Sequence, residues 1–292
     1  MRRKERYFMA DCENCPSKGN CSSEQQSGCS FEPLNSFSSI KNTVAVMSGK
    51  GGVGKSSVTV LLAREFARRG KKVGILDADI TGPSIPRLMG IPAGTRCGQN
   101  EMGILPAQTA EGIPVVSLNF FLEDEEEPVI WRGPILSGAV KQFWTDVFWG
   151  ELDCLFIDMP PGTGDVVLTV MQSLPLSGAV VVSTPHDLAS MVVAKSVRMA
   201  KKLDIHVLGL VENMAYLRCP DCGKAIRLFD EAPLRDFLAR EQLPLLGSLP
   251  MLPQVAALGR QESGLSGEAG EVLRAVGDKI EPSLRWGKEA GA

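Results

Sequence analysis

Short apolar runs alternate with apolar positions at helical spacing along most of this chain. Residues 43–47 read as a strand, and Val58, Leu61, Leu62 and Phe66 then recur at helical intervals. Arg68-Arg69-Gly70 ends that helix with basic residues and a glycine. Further strands are expected at 72–76, 113–118, 154–158, 178–183 and 207–211, and helices at 190–203, 235–242 and 267–280. Val140, Phe143, Trp144 and Val147 form another amphipathic face. Strand, loop and helix in repetition predict an α/β fold, a doubly wound and mainly parallel sheet flanked by helices. Residues 1–37 carry neither periodicity and read as a cysteine-bearing N-terminal extension to a domain spanning 38–292, with a linker near 31–39.

Bulk properties narrow the classes. The 292 residues suffice for one large α/β domain plus extensions. A formal net charge of −3 offers no broad basic surface for nucleic acid. No apolar run approaches a membrane span, and no apolar core of a signal peptide follows the basic start Met1 to Arg6. Eight cysteines in such a chain read as thiol ligands in a reducing, cytoplasmic compartment, not as a disulfide framework.

The loop after the first strand carries the chemistry. Gly49-Lys50-Gly51-Gly52-Val53-Gly54-Lys55-Ser56 fits a phosphate-binding loop: glycine, four residues, then Gly-Lys-Ser. Such a loop turns backbone N–H groups onto phosphate oxygens, and the next helix adds its positive N-terminal end. Gly49 through Ser57 are therefore candidate nucleotide contacts, with Lys55 reaching the outer phosphates and Ser56 holding Mg²⁺. Asp77 and Asp79 close the second strand, and Asp158 ends an apolar strand in the Walker B pattern, where a carboxylate polarises a Mg²⁺-bound water. Gly162 and Gly164 allow the loop after Asp158 to rearrange when the γ-phosphate leaves.

Lys50 directly follows the first glycine. In this the chain resembles the ATPases with a deviant loop, G-K-G-G-x-G-K-S/T, which work as face-to-face dimers. That group includes the nitrogenase iron protein, the Min and Par positioning ATPases and the Mrp-type iron–sulfur carriers. Asp77-Ala-Asp-Ile-Thr-Gly-Pro-Ser-Ile-Pro86, Trp131-Arg-Gly-Pro134 and Lys141-Gln-Phe143 make the likeness to the Mrp branch, also called ApbC-type, close over about residues 41–280. The resemblance implies that Lys50 reaches the nucleotide of the opposite subunit, that Asp79 orients the attacking water, that Asp77 sits near Mg²⁺, and that Asn213 reads adenine. An amide suits that last task because it both donates and accepts. The likeness to the family's late stretch that walls adenine runs through Leu245 to Pro253, with Leu252 where aspartate is usual.

Two cysteine groups stand out. Cys219-Pro-Asp-Cys222 supplies two thiolates where a four-ligand centre needs four, and a twofold dimer would complete the set. The resemblance makes this the position of a transferable [4Fe–4S] cluster; structural zinc and a redox dithiol are the competing readings. Cys12, Cys15, Cys21 and Cys29, spaced C-x2-C-x5-C-x7-C, form an all-sulfur set suited to Fe–S or zinc. They resemble the second cluster site of the longer nucleotide-binding-protein branch. That branch places its remaining cysteine upstream, whereas Cys29 lies downstream. Cys97 reads as a structural or free thiol and Cys154 as buried core, and neither His186 nor His206 falls at a ligand spacing with a cysteine.

The expected function is a slow, switch-like homodimeric ATPase using ATP and Mg²⁺. It would carry a [4Fe–4S] cluster to apo iron–sulfur proteins, with a cluster scaffold or a related ATPase as a further partner. The alternatives are a positioning or scaffold ATPase with structural zinc, and an electron donor like the nitrogenase iron protein. No nucleic-acid or membrane partner is expected.

Overall fold

A computed structural model of the chain describes residues 31–80, 82, 84–122, 133–187, 191–251, 255, 258 and 267–286. Cys12, Cys15, Cys21 and Cys29 lie outside the described residues.

The centre is an eight-stranded sheet. Its strands in chain order are β1 (Thr43–Ser48), β2 (Val73–Asp77), β3 (Ala107–Gln108), β4 (Pro114–Val116), β5 (Cys154–Asp158), β6 (Gly178–Ser183), β7 (Val207–Glu212) and, after a small hairpin, β10 (Leu245–Ser248). That hairpin, β8 (Leu217–Arg218) and β9 (Ala225–Ile226), stands apart from the sheet. The spatial order is β10-β7-β6-β1-β5-β2-β4-β3, with every neighbouring pair parallel except β3–β4. This is the doubly wound α/β sheet that the strand–helix alternation predicts. Five of its strands are buried along their whole length, as a parallel sheet covered on both faces requires.

The longer helices among the described residues are α1 (Lys55–Arg68), α2 (Gly133–Thr145), α3 (Asp165–Ser173), α4 (Met191–Lys202), α5 (Ala232–Glu241) and α6 (Gly267–Ile280). The predicted face of α1 is the one that packs: Val58, Leu62 and Phe66 are fully buried and Leu61 nearly so. Each contributes about 1.5–3 kcal/mol by leaving water. Phe66 stacks on Trp286 at 5.4 Å, which joins the C-terminal segment to the same core layer.

Three elements differ from their predicted extents. The strand expected at 113–118 ends at Val116, and Leu118–Phe121 turns into a 3-10 helix. The helix expected from 235 starts at Ala232, because Pro233 sits in its first turn, where no N–H is needed. The segment read as a linker is docked on the domain. Glu32 donates its N–H to Ser173 O at 2.8 Å and accepts the Trp144 indole N–H at 2.9 Å, while Asn35 donates to Met102 O at 2.8 Å. Both Ser173 and Trp144 lie at helix ends away from the carboxyl edge of the sheet, so Glu32 docks on the side opposite the phosphate-binding loop.

Candidate nucleotide and thiolate sites

β1 is central, and its carboxyl end delivers the chain into the phosphate-binding loop. The glycines there have two jobs. Gly52 and Gly54 adopt φ of 81° and 80°, the left-handed region that glycine enters without penalty. A Cβ on Gly54 would also meet Asn213 Nδ2 at 2.2 Å. Gly54 then caps α1, whose first residues are Lys55 and Ser56. Gly51 and Gly52 are exposed, as is Lys50, while Val53 is buried beneath them.

The carboxylates gather around Lys55. Its Nζ lies 2.8 Å from Asp158 Oδ2 and 3.4 Å from Asp79 Oδ2, and the side chain is 6% exposed. Ser56 Oγ donates to Asp158 Oδ2 at 2.6 Å. Thr59, one helical turn after Lys55, places Oγ1 2.8 Å from Asp158 Oδ1. Asp158 and Asp77 are paired directly across β5 and β2, which is why two strand-end carboxylates meet. Asp77 accepts the Ser117 hydroxyl at 3.1 Å and the Asp79 N–H at 3.2 Å. Burial pushes the Asp77 carboxyl well above the usual carboxylate range, and the nearby Asp158 charge adds to that; Lys55 and Ser117 oppose it. The hard oxygens of Ser56 and Asp158, side by side at the loop, are the donor types Mg²⁺ takes alongside nucleotide phosphates.

The loop after Asp158 is tied to the same place. Gly162 donates its N–H to Ser48 O at 2.9 Å, with φ of 84°. A Cβ on Gly49 would touch the backbone of Val193 at 2.8 Å, so α4 sits directly on the loop. Asn213 follows the buried end of β7 and donates from Nδ2 to Val53 O at 2.9 Å. One of its amide hydrogens is thus committed to shaping the loop rather than to reading a base.

The cysteine pair lies past the same edge of the sheet, in the hairpin that follows the carboxyl end of β7. Cys219 and Cys222 form the turn of the β8–β9 hairpin, closed by Cys219 N–H to Lys224 O at 3.0 Å and Gly223 N–H to Cys219 O at 2.9 Å. Cys222 is exposed and Cys219 half-buried. The backbone N–H groups of Cys222 and Asp221, then the Cys222 side chain, hold the Cys219 thiol below its ordinary value. Among the described residues, no three His, Cys, Asp or Glu side chains gather into a group able to hold a metal ion. The hairpin therefore offers two sulfurs per chain.

The other thiols differ. Cys154 is fully buried in β5 and burial drives its pKa far up, while Cys97 is pushed up to about 11 by the same cause. His186 packs edge-on against Phe229 at 5.7 Å, linking the end of β6 to the segment after the hairpin. Among the described residues, no helix is long and apolar enough to cross a membrane.

Several residues at these sites escaped sequence reading. Thr59 was detectable in principle as the residue one turn beyond Lys55 on the same helix face. Ser117 and Asp77 are 40 residues apart, with no local signal.

A family model described as ParA, NUBPL iron-transfer P-loop NTPase, matches residues 39–276. An iron-sulfur cluster carrier protein of Clostridium perfringens is 46% identical over 254 residues, covering 83% of this chain and 89% of its own length. A cytosolic Fe-S cluster assembly factor Nubp2 homolog of Drosophila ananassae is 41% identical over 247 residues, covering 81% and 94%. Among solved structures, a nucleotide-binding protein of Archaeoglobus fulgidus in complex with ADP is similar at a TM-score of 0.68 and 42% identity, covering 85% of this chain and 93% of that one. The chain belongs to the family of NUBPL iron-transfer P-loop NTPases.

Proposed function

We propose that this protein is an ATP-dependent iron–sulfur cluster carrier. It works as a homodimer that holds one [4Fe–4S] cluster between the Cys219/Cys222 hairpins of two subunits and delivers it to apo iron–sulfur proteins. The observation that carries this reading is the hairpin itself: two sulfurs, one of lowered pKa, at the same edge of the sheet as the phosphate-binding loop. Soft thiolates suit iron–sulfur cargo, and twofold symmetry turns two ligands into four. Exposed Ile226, Leu228 and Phe229 follow the cysteines and supply apolar surface for a second copy.

In this reading the loop from Gly49 to Ser57 cradles ATP, Lys55 reaches the outer phosphates, and Lys50 reaches the nucleotide of the partner subunit. Ser56 would hold Mg²⁺, which would neutralise phosphate charge, and Asp158 would face a water on that ion, with Asp77 close by. Asp79 orients the attacking water. Asn213 stands at the base pocket. Cys12, Cys15, Cys21 and Cys29 form a separate metal or cluster centre on the extension. Hydrolysis is slow and acts as a switch, in a reducing, cytoplasmic compartment.

The test is transfer. The cluster-loaded protein is mixed anaerobically with the apo form of a [4Fe–4S] hydro-lyase, with a chelator present to trap free iron. Recovery of hydro-lyase activity that is lost in Cys219→Ala and Cys222→Ala supports the proposal. Zinc without iron or sulfide in the anaerobically purified protein would contradict it and favour a scaffold ATPase.

A further inference from the structure

The cysteine hairpin does not pack into the sheet, yet Arg218 ties its turn to the domain. Arg218, the residue before Cys219, donates from Nη1 to Gly223 O at 2.7 Å and so spans the cysteine turn from behind. The same guanidinium grips Glu268 at the start of α6, from Nε to Oε2 at 2.6 Å and from Nη2 to Oε1. Tyr216 donates its hydroxyl to Glu268 Oε1 at 2.8 Å, and the Arg218 guanidinium lies 5.5 Å from the Tyr216 ring centroid. An isolated exposed ion pair contributes little, but a forked arginine held by three partners is geometrically defined.

What Glu268 is attached to matters equally. α6 buries Leu273, Val276 and Ile280 against the core. Its last turns and the residue after it grip Arg69, just past the end of α1: Arg69 Nη1 meets Asp278 at 2.9 Å and Glu281 at 2.8 Å, and Nη2 donates to Arg274 O at 2.6 Å. A Cβ on Gly277 would stand 2.4 Å from Arg69 Nη2, so glycine is what lets the guanidinium in. α6 thus runs from the cysteine hairpin at one end to the nucleotide-loop helix at the other.

We propose that Arg218 and Glu268 are positioning residues for the Cys219/Cys222 turn, setting its place relative to α6 and, through Arg69, to α1. Only the consequence for cluster retention rests on the carrier reading; the positioning itself does not.

The test uses the full chain, metal-free and reduced, with amide hydrogen exchange followed at the hairpin. Arg218→Gln and Glu268→Gln should each speed exchange at the Cys219 and Gly223 amides by about fivefold or more, and the double variant should add little to either single change. Exchange in β1 and β6 should stay as in wild type, which separates a loosened hairpin from a damaged fold. Arg218→Lys keeps the charge without the fork and should not restore protection. Unchanged hairpin exchange, additive effects, or full rescue by lysine would each overturn the proposal. A second arm measures cluster loss to a chelator, expected to quicken in both single variants. A wild type that takes up no cluster contradicts the carrier reading, while the exchange data still decide the positioning.

Discussion

Lys55 Nζ lies 2.8 Å from Asp158 Oδ2, joining the first residue of α1 to the last residue of β5. The pair is buried, and Ser56 and Thr59 bind the same carboxylate. Removing the Asp158 charge leaves Lys55 with Asp79 as its remaining carboxylate neighbour within 4 Å among the described residues. Asp158→Asn should therefore lower ATP hydrolysis by about a hundredfold or more, as loss of a group that organises transition-state charge does. Steady-state phosphate release measures it, with nucleotide affinity followed in parallel by a fluorescent ADP.

Thr59 is a quieter support for the same carboxylate. Thr59→Val keeps the shape and deletes the hydroxyl near Asp158 Oδ1, leaving a buried acceptor short of one partner. A cost of about 1–3 kcal/mol in urea unfolding is expected. A neutral result would mean that Ser56 and Lys55 already satisfy Asp158.

Gly54 has no tolerant substitute. Gly54→Ala places a side chain at φ 80°, which costs about 1–2 kcal/mol for an L-residue, and drives it into the Asn213 amide. Nucleotide binding should fall sharply. Adding Asn213→Ala removes the contact but not the backbone strain, so the double variant should recover only part of the affinity in a titration with fluorescent ATP.

Asp77 gives a pH signature. Its pKa is raised in the folded chain, first by burial and then by Asp158. A raised carboxyl contributes stability that is fully present below its unfolded value, about 4, and is lost as pH climbs through the folded value. Asp77→Asn should flatten that decline in thermal denaturation across the same range. Where Mg²⁺ with nucleotide draws Asp77 into its anionic form, binding should release a proton and tighten as pH rises. Calorimetry in buffers of different ionisation enthalpy reads that proton directly.

Much of this was legible in the sequence because it is local. The phosphate-binding loop is one unbroken run, and Asp158 announces itself as the end of an apolar strand. The bounds of α6, Gly267–Ile280, follow from apolar spacing alone. The remainder depends on distance in the chain. Asp77 meets Asp158 only because β2 and β5 are neighbours in the sheet, and Arg218 meets Glu268 across 50 residues. Asn213 shows the same gap from the other side: its strand-end position was readable, but its bond to Val53 O, 160 residues away, was not. The docking of Glu32 on Ser173 likewise turns a Ser- and Pro-containing stretch that resembles a linker into part of the domain's surface.

The thiols should separate by environment. With Cys12, Cys15, Cys21 and Cys29 replaced by serine, iodoacetamide at neutral pH should label Cys219 first, because its pKa is lowered. Cys97 and Cys154 should react at least about tenfold more slowly, since burial raises both. Mass spectrometry of the digested protein gives the order.

Cluster stoichiometry in that same four-serine variant decides whether the Cys219/Cys222 hairpins of two chains share one cluster. Reconstituted anaerobically, it is analysed for iron, sulfide and molar mass by size exclusion with light scattering. The expected result is a dimer holding one [4Fe–4S] cluster per two chains, abolished by either Cys219→Ala or Cys222→Ala while ATP still binds. A cluster retained by a Cys222→Ala chain, or one full cluster on a monomer, would contradict it.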